Sequence, residues 1–241
     1  MLRLFLIALA CLPVCGDAFA ESAKSQKSIR VLLAVGGVGY NTLVIRLLKD
    51  MNGIEVVVRN VEDDPVVFTA AALADIDVVA MYHRDNVAEP AERGALLNFL
   101  ENGGGVVVMH HALANYPDWE HWWRKQVGGL YALPSHEDLQ PSRYFYDFRG
   151  VARPSSNHPI TQRLGAYWRY EDESYSDLWI SDDVGVLLET TAFGSSRNLA
   201  WIGPTSSNRV VFIQPGHGDS VMTDLKYRNL IEDALRWAAR E

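Results

Sequence analysis

Seven histidines occur in this chain, all between His83 and His217. Imidazole is the side chain that changes charge near neutral pH, and in its neutral form it serves as a general base or a metal ligand. His83, the adjacent pair His110-His111, and His217 each follow an apolar, strand-like run. Neighbours on an extended backbone point to opposite sides, so His110 is expected to face a pocket and His111 to face away if the strand continues. Carboxylates form the second group. Tyr170-Glu171-Asp172-Glu173-Ser174-Tyr175 sets three acids between tyrosines. Acids pressed against aromatic rings lose hydration, and their pKa values rise toward general-acid use. Asp172 and Glu173 are therefore expected in a site, and Glu171 in solvent. Aromatics form the third group. Trp119, Trp122, Trp123, Trp168 and Trp179 are five of the seven tryptophans, and their flat faces suit stacking on sugar rings.

The elements that must position these groups read as an α/β alternation. Ile29 to Val35 is a continuous apolar run that ends at Gly36-Gly37, as a buried parallel strand would. Further strands are expected at Ile54–Val58, Ile76–Met81, Gly105–Met109, Gly185–Thr191, Leu199–Ile202 and Arg209–Ile213. Helices are expected at Thr42–Met51, Pro90–Asn102, Asp118–Val127 and Leu225–Ala239, the second with Pro near its start and Gly103 beyond its end. Residues 128–153 lack a clear period before a strand-like Arg143–Phe148. This order predicts a flavodoxin-like, doubly wound, mostly parallel sheet with helices on both faces and an elaborated second half. In such sheets ligands bind beyond the carboxyl ends of the strands. Parallel strands would bring the Gly36-Gly37 turn, His83, His110-His111 and His217 to one rim.

Composition narrows the classes. The formal net charge is −8, and 48% of residues are hydrophobic. The acidic balance argues against nucleic acid as a partner, and the apolar content against a disordered chain. Met1-Leu2-Arg3 and the apolar run Leu4–Cys15, followed by Ala18-Phe19-Ala20, read as a signal peptide cleaved after Ala20. A lipoprotein form with Cys15 lipidated fits less well, because Val14 is too large for such a site. Cleavage would remove both cysteines, Cys11 and Cys15, and leave 221 of the 241 residues. A periplasmic or secreted protein follows, with residues 21–28 flexible, one domain over 29–240, no membrane span and no thiol chemistry. There is no G-x-S-x-G elbow and no phosphate-binding G-x-x-x-x-G-K-[ST] loop. Gly37-Val38-Gly39-Tyr40-Asn41-Thr42 has Thr42 where a dinucleotide fingerprint needs its third glycine, so no nucleotide is expected.

Five pieces in order resemble the ThuA-like, trehalose-utilisation family: Gly103-Gly104-Gly105-Val106-Val107-Val108-Met109-His110, Gly128-Gly129 with His136 downstream, His158-Pro159-Ile160-Thr161, Asp172-Glu173-Ser174-Tyr175, and Gly216-His217. The resemblance covers about Ile29 to Arg240. It implies the class I glutamine amidotransferase-like fold and a link to catabolism of trehalose, related disaccharides and their keto derivatives. Where the amidotransferases place a cysteine this chain has His110, so glutaminase chemistry is excluded. The chain also departs from its family, whose members often carry histidines after the first Gly-Gly, where Val38-Gly39-Tyr40 stands here.

The resulting expectation is an exported carbohydrate-processing enzyme of hydrolase, lyase or isomerase type. His110, His136, Glu173 and His217 are its acid/base groups or the ligands of Zn²⁺ or a similar divalent ion. Asp172, Tyr175, Trp119, His111, Gly36 and Gly37 contact the sugar or glycoside, and Asp172 orients a histidine ring. His158, before Pro159, is assigned a structural role. A homo-oligomer is compatible with this reading. The alternative is a non-catalytic sugar-binding or accessory protein of the same fold.

Overall fold

The computed structural model describes residues 28–37, 39–64, 66–84 and 87–241. The expected signal peptide lies outside them. Eleven strands occur among the described residues: β1 Ile29–Gly36, β2 Ile54–Asn60, β3 Val78–His83, β4 Gly105–Met109, β5 Gly129–Leu130, β6 Arg143–Pro154, β7 Trp168–Ser176, β8 Trp179–Ile180, β9 Gly185–Glu189, β10 Asn198–Ile202 and β11 Arg209–Ile213. The α-helices are α1 Leu43–Lys49, α2 Ala70–Leu73, α3 Pro90–Glu101, α4 Asp219–Met222 and α5 Leu225–Ala238. Nine strands form one sheet in the order β2-β1-β3-β4-β11-β10-β9-β6-β7, and β5 pairs with β8 separately. The first five in that order run parallel. The remaining pairings are antiparallel.

Alternation along the central strands builds two cores. Val31, Leu33 and Val35 of β1, Val107 and Met109 of β4, and Val211 and Ile213 of β11 face the helices α1 and α5. Leu32, Ala34, Val106, Val108, Val210 and Phe212 face the opposite layer with Leu96, Phe99 and Leu100 of α3. Burial on both faces is why these strands read as unbroken apolar runs.

Three expectations change. The third strand extends through His83, which is fully buried within it rather than placed on the rim. The helix expected at Asp118–Val127 is a single π-helical turn, Trp122–Val127. The acid-rich segment read without secondary structure is the interior of β7, paired along β6 from Arg143↔Ser176 to Ala152↔Trp168. Trp168, Tyr170 and Asp172 alternate inward on β7, while Glu171 points out to Arg149.

His83 makes hydrogen-bond contacts to Tyr116 Oη at 3.0 Å and Asn115 Nδ2 at 3.2 Å. Burial lowers its pKa to about 3, with His111 adding to the shift. Its folded value lies below the unfolded value near 6.5, so the unfolded chain binds the extra proton in between. Stability from this group is present above pH 6.5 and is lost as pH falls toward 3. Between pH 6 and 4, denaturant titrations of wild type should lose about 1.4 kcal/mol per pH unit more than the His83→Gln variant. Equal slopes would show that His83 does not stay neutral in the fold.

Candidate functional site

The chain leaves β4 through His110, a non-glycine residue at φ 51°. A 3-10 helix, His110–Ala114, starts there. The backbone therefore does not stay extended, and alternation no longer separates His110 from His111. Both line one cavity of about 650 Å³, as the expected contact of His111 with the ligand requires. Left-handed backbone at a residue with a side chain costs energy and clusters at functional turns. Here it aims a side chain upward from the end of a central strand.

His110 is buried, and its Nδ1 lies 2.8 Å from the Gln214 carbonyl oxygen. A carbonyl only accepts, so Nδ1 carries the proton and Nε2 presents its lone pair to the cavity. Burial, reinforced by His111, holds the His110 pKa well below its ordinary value, so the ring is neutral. Nε2 is 3.3 Å from His217 Nδ1, 3.6 Å from Glu173 Oε1 and 2.9 Å from Tyr175 Oη. His217 Nδ1 is 3.8 Å from Glu173 Oε2. Burial pushes the Glu173 carboxyl up, and the His217 ring pulls it part of the way back. Tyr175 hydrogen-bonds the Glu173 side chain and is raised well above 10 by burial, so it stays protonated.

His217 is placed by its backbone. Asp172 accepts from the Gly216, His217 and Gly218 N–H groups at 2.6, 3.1 and 2.6 Å. Burial raises the Asp172 pKa, and these three bonds oppose it. Asp172 thus orients the loop that carries His217, not a ring, and it does not line the cavity. Gly216 sits at φ 147°, and a Cβ there would stand 2.5 Å from Tyr227 Oη. Tyr82 Oη donates to the Gly216 carbonyl at 2.5 Å. The loop is fixed from both sides.

Other expected residues lie elsewhere. His136 borders a separate surface hollow with Pro117, Asp118 and Glu137 and packs edge-on against Trp123. It does not join the cluster. Trp119 is stacked on Trp122 in the core, and none of the five tryptophans from 119 to 179 lines the cavity. Gly36 and Gly37 close the turn after β1 and leave the lining to Gly39. Gly37 sits at φ 78°, and a Cβ would stand 2.5 Å from the Arg84 carbonyl oxygen. His158 accepts from the Ile160 N–H and packs against Trp237.

The aromatic walls are instead tyrosines and a phenylalanine. Tyr131, Tyr144, Phe145 and Tyr146 line the cavity with Tyr175, His111, Arg84 and Arg143. Tyr144 and Tyr146 meet edge to face at 5.1 Å, and the Tyr146 ring is 6.1 Å from that of His217. Tyr144 and Tyr146 come from the first half of β6, where the sequence shows alternating Tyr144-Phe145-Tyr146 as the one available signal. Gln214 and Tyr82 carry no such signal, because their roles depend on long-range contacts.

His110, Glu173 and His217 offer donor atoms that all lie within 4.8 Å of one another. Two nitrogens about 2.0–2.1 Å from a tetrahedral Zn²⁺ would lie about 3.4 Å apart, close to the 3.3 Å between His110 Nε2 and His217 Nδ1. The proton of His110 is held by a backbone carbonyl, as in metal-ligating histidines. The donor set therefore fits a divalent ion, and without one it is an acid/base cluster.

Removing the Asp172 carboxylate would strand three loop N–H groups. The Asp172→Ala variant is expected to lose on the order of 3 kcal/mol of unfolding free energy, with Asp172→Asn losing less. A variant as stable as wild type would show that the loop does not depend on this carboxylate.

The chain matches the family described as "Trehalose utilisation", ThuA, over residues 18–238. No curated protein sequence matches it. Among solved structures, a ThuA-like protein from Parabacteroides merdae superposes with a TM-score of 0.76 at 18% identity, covering 88% of this chain and 90% of that one. A ThuA-like protein from Bacteroides uniformis gives 0.66 at 22% identity, covering 90% and 94%. PurLQS from Thermotoga maritima gives 0.59 at 13% identity, covering 87% and 99%. These likenesses show the amidotransferase-like fold. With the family match over nearly its whole length, the chain belongs to the ThuA family.

Proposed function

We propose that this protein is an exported enzyme acting on trehalose-like disaccharides, glycosides or their keto derivatives. The observation that carries the reading is the convergence of His110, Glu173 and His217 in a tyrosine-walled cavity. Family membership supports the sugar class. The cavity's size, about 650 Å³, suits a small-molecule ligand of disaccharide size. Tyr131, Tyr144 and Tyr146 offer rings for stacking against sugar faces. The apolar run Leu4–Cys15 and Ala18-Phe19-Ala20 support export.

The acid count favours one chemistry within this class. Hydrolysis by paired carboxylates needs two acids across the scissile bond. Glu173 is the one carboxylate among the described lining residues, and Asp172 is committed to the loop. Proton transfer beside a sugar carbonyl needs only one base and one acid. On a 3-keto glycoside, a base takes the C2 proton, the C2 electron pair forms the C1–C2 double bond, and the C1–O bond breaks. The departing oxygen takes a proton from the acid. Glu173, raised by burial, and the part-exposed His217 are the exchanging pair. His110 is too weakly basic to hold a proton at neutral pH, and its Nε2 lone pair faces His217 Nδ1 at 3.3 Å. A divalent ion held by His110, Glu173 and His217 would supply polarisation of a sugar oxygen.

Incubation with trehalose, other disaccharides and their 3-keto forms is expected to show turnover of a keto form. The Glu173→Gln and His110→Ala variants should lower kcat/KM about 100-fold or more. Binding without turnover, unchanged in His110→Ala, would identify the chain as a sugar-binding protein instead. The sequence Val38-Gly39-Tyr40, which lacks the family's histidines, favours that outcome.

Elemental analysis checks the ion separately. Protein equilibrated with Zn²⁺ and desalted should retain about one equivalent, and His217→Ala should retain far less. Retention equal in the two proteins would remove the ion from this site.

A further inference from the structure

The cavity contains a cation for which the described residues supply no counterpart. Arg84 follows β3 directly and is half-buried. It lines the cavity beside His111, Tyr131 and Glu173. Its backbone is anchored, with its N–H donating to the Gly36 carbonyl at 3.1 Å and its own carbonyl packed against Gly37. A guanidinium carries five N–H donors and does not lose its proton. No hydrogen bond or ion pair engages the Arg84 side chain among the described residues. The other half-buried arginines differ. Arg30 faces Glu55 and Asp75, Arg124 faces Glu120, and Arg236 faces Glu232. Arg93, Arg209 and Arg228 donate to backbone carbonyls. Arg143, on the same cavity, is held 2.8 Å from Asp177.

Glu173 does not fill the role, because no hydrogen bond or ion pair joins it to Arg84, and its side chain is hydrogen-bonded by Tyr175. The charge of Arg84 is nevertheless felt inside the site, where it helps to lower His111 to about 4 after burial and His217. A half-buried cation with five open donors is unfavourable unless an acceptor arrives. A planar fork of this kind matches the two oxygens of a carboxylate or phosphate.

We propose that Arg84 is an anion subsite of the cavity, and that the substrate is a sugar bearing a carboxylate or phosphate. Its ring rests on the tyrosine walls, and its reacting bond lies at His110, Glu173 and His217. This rests on the sugar reading above and adds a charged group to the substrate class.

Titration calorimetry on wild type, Arg84→Gln and Arg84→Lys tests it with four probes. These are methyl β-D-glucoside, methyl β-D-glucuronide, glucose 6-phosphate and inorganic phosphate. An anionic sugar is expected to bind wild type about tenfold or more tighter than the glucoside. Arg84→Gln should erase the preference and Arg84→Lys should keep part of it, with thermal midpoints unchanged. Whichever of glucuronide and phosphate gains more identifies the anion. Equal binding of neutral and anionic sugars, or a preference that survives Arg84→Gln, overturns the subsite and leaves the sugar reading intact. Arg84-dependent binding of inorganic phosphate with no binding of any sugar keeps the subsite and removes the sugar reading. No binding of any probe to wild type overturns the subsite.

Discussion

The candidate site depends on one buried carboxylate reaching across the fold. Asp172 belongs to β7, the outermost strand on the antiparallel side of the sheet. The loop it holds, Gly216 to Gly218, follows β11 at the edge of the parallel half. Four strand spacings separate β7 from β11, about 19 Å in a flat sheet. Three hydrogen bonds at 2.6–3.1 Å are possible only because the β6–β7 hairpin swings back. The pairing pattern explains how. β6 joins β9 only at Arg153 and Pro154, while it pairs with β7 along most of its length. The hairpin is therefore tethered at one end, and Phe148, Trp168 and Tyr170 can pack into the core beside Tyr227.

This return makes one site from two unlike halves. The parallel half contributes His110 at its elbow and His217 beyond the next strand. The hairpin contributes Glu173 and Tyr175 from β7 and the tyrosines of β6. Glu173 is the immediate neighbour of Asp172, so the bond that anchors the loop also sets the position of the carboxylate facing it. The elbow at His110 ends β4 and opens the 3-10 helix that follows. It delivers whichever residue ends the central strand, and here that residue is an imidazole.

The parallel half was legible because double burial produces unbroken apolar runs with glycine stops, and β1, β4 and β11 appear within a residue of expectation. His83 was displaced because nothing in Ile76–His83 marks where pairing begins. The hairpin was harder to read. Trp168, Tyr170 and Asp172 do alternate, but an acid on the inward side contradicts the usual strand pattern. Its acceptability depends on N–H groups 44 to 46 residues away, which no local window contains. Trp119 and His136 show the reverse error. Residue types suited to sugars or metals fill the core or a separate surface hollow, because chemistry-bearing side chains also pack.

The protonation of His110 bears on which chemistry the cluster can perform. Its single proton sits on Nδ1, facing the Gln214 carbonyl. The Nε2 lone pair then faces Glu173 Oε1 at 3.6 Å, with His217 Nδ1 and Tyr175 Oη also near. A lone pair beside a carboxylate is unfavourable unless something positive lies between or one partner takes a proton. Burial denies His110 that proton near neutral pH. The balance must come from a proton on Glu173, whose pKa burial raises, from the donors of Tyr175 and His217, or from a cation bound among the three. The first two describe an acid/base cluster poised to give up a proton, and the third a metal centre. Both require His110 to stay neutral with its lone pair turned inward, so the Gln214 carbonyl is as necessary to the site as the side chains that line it.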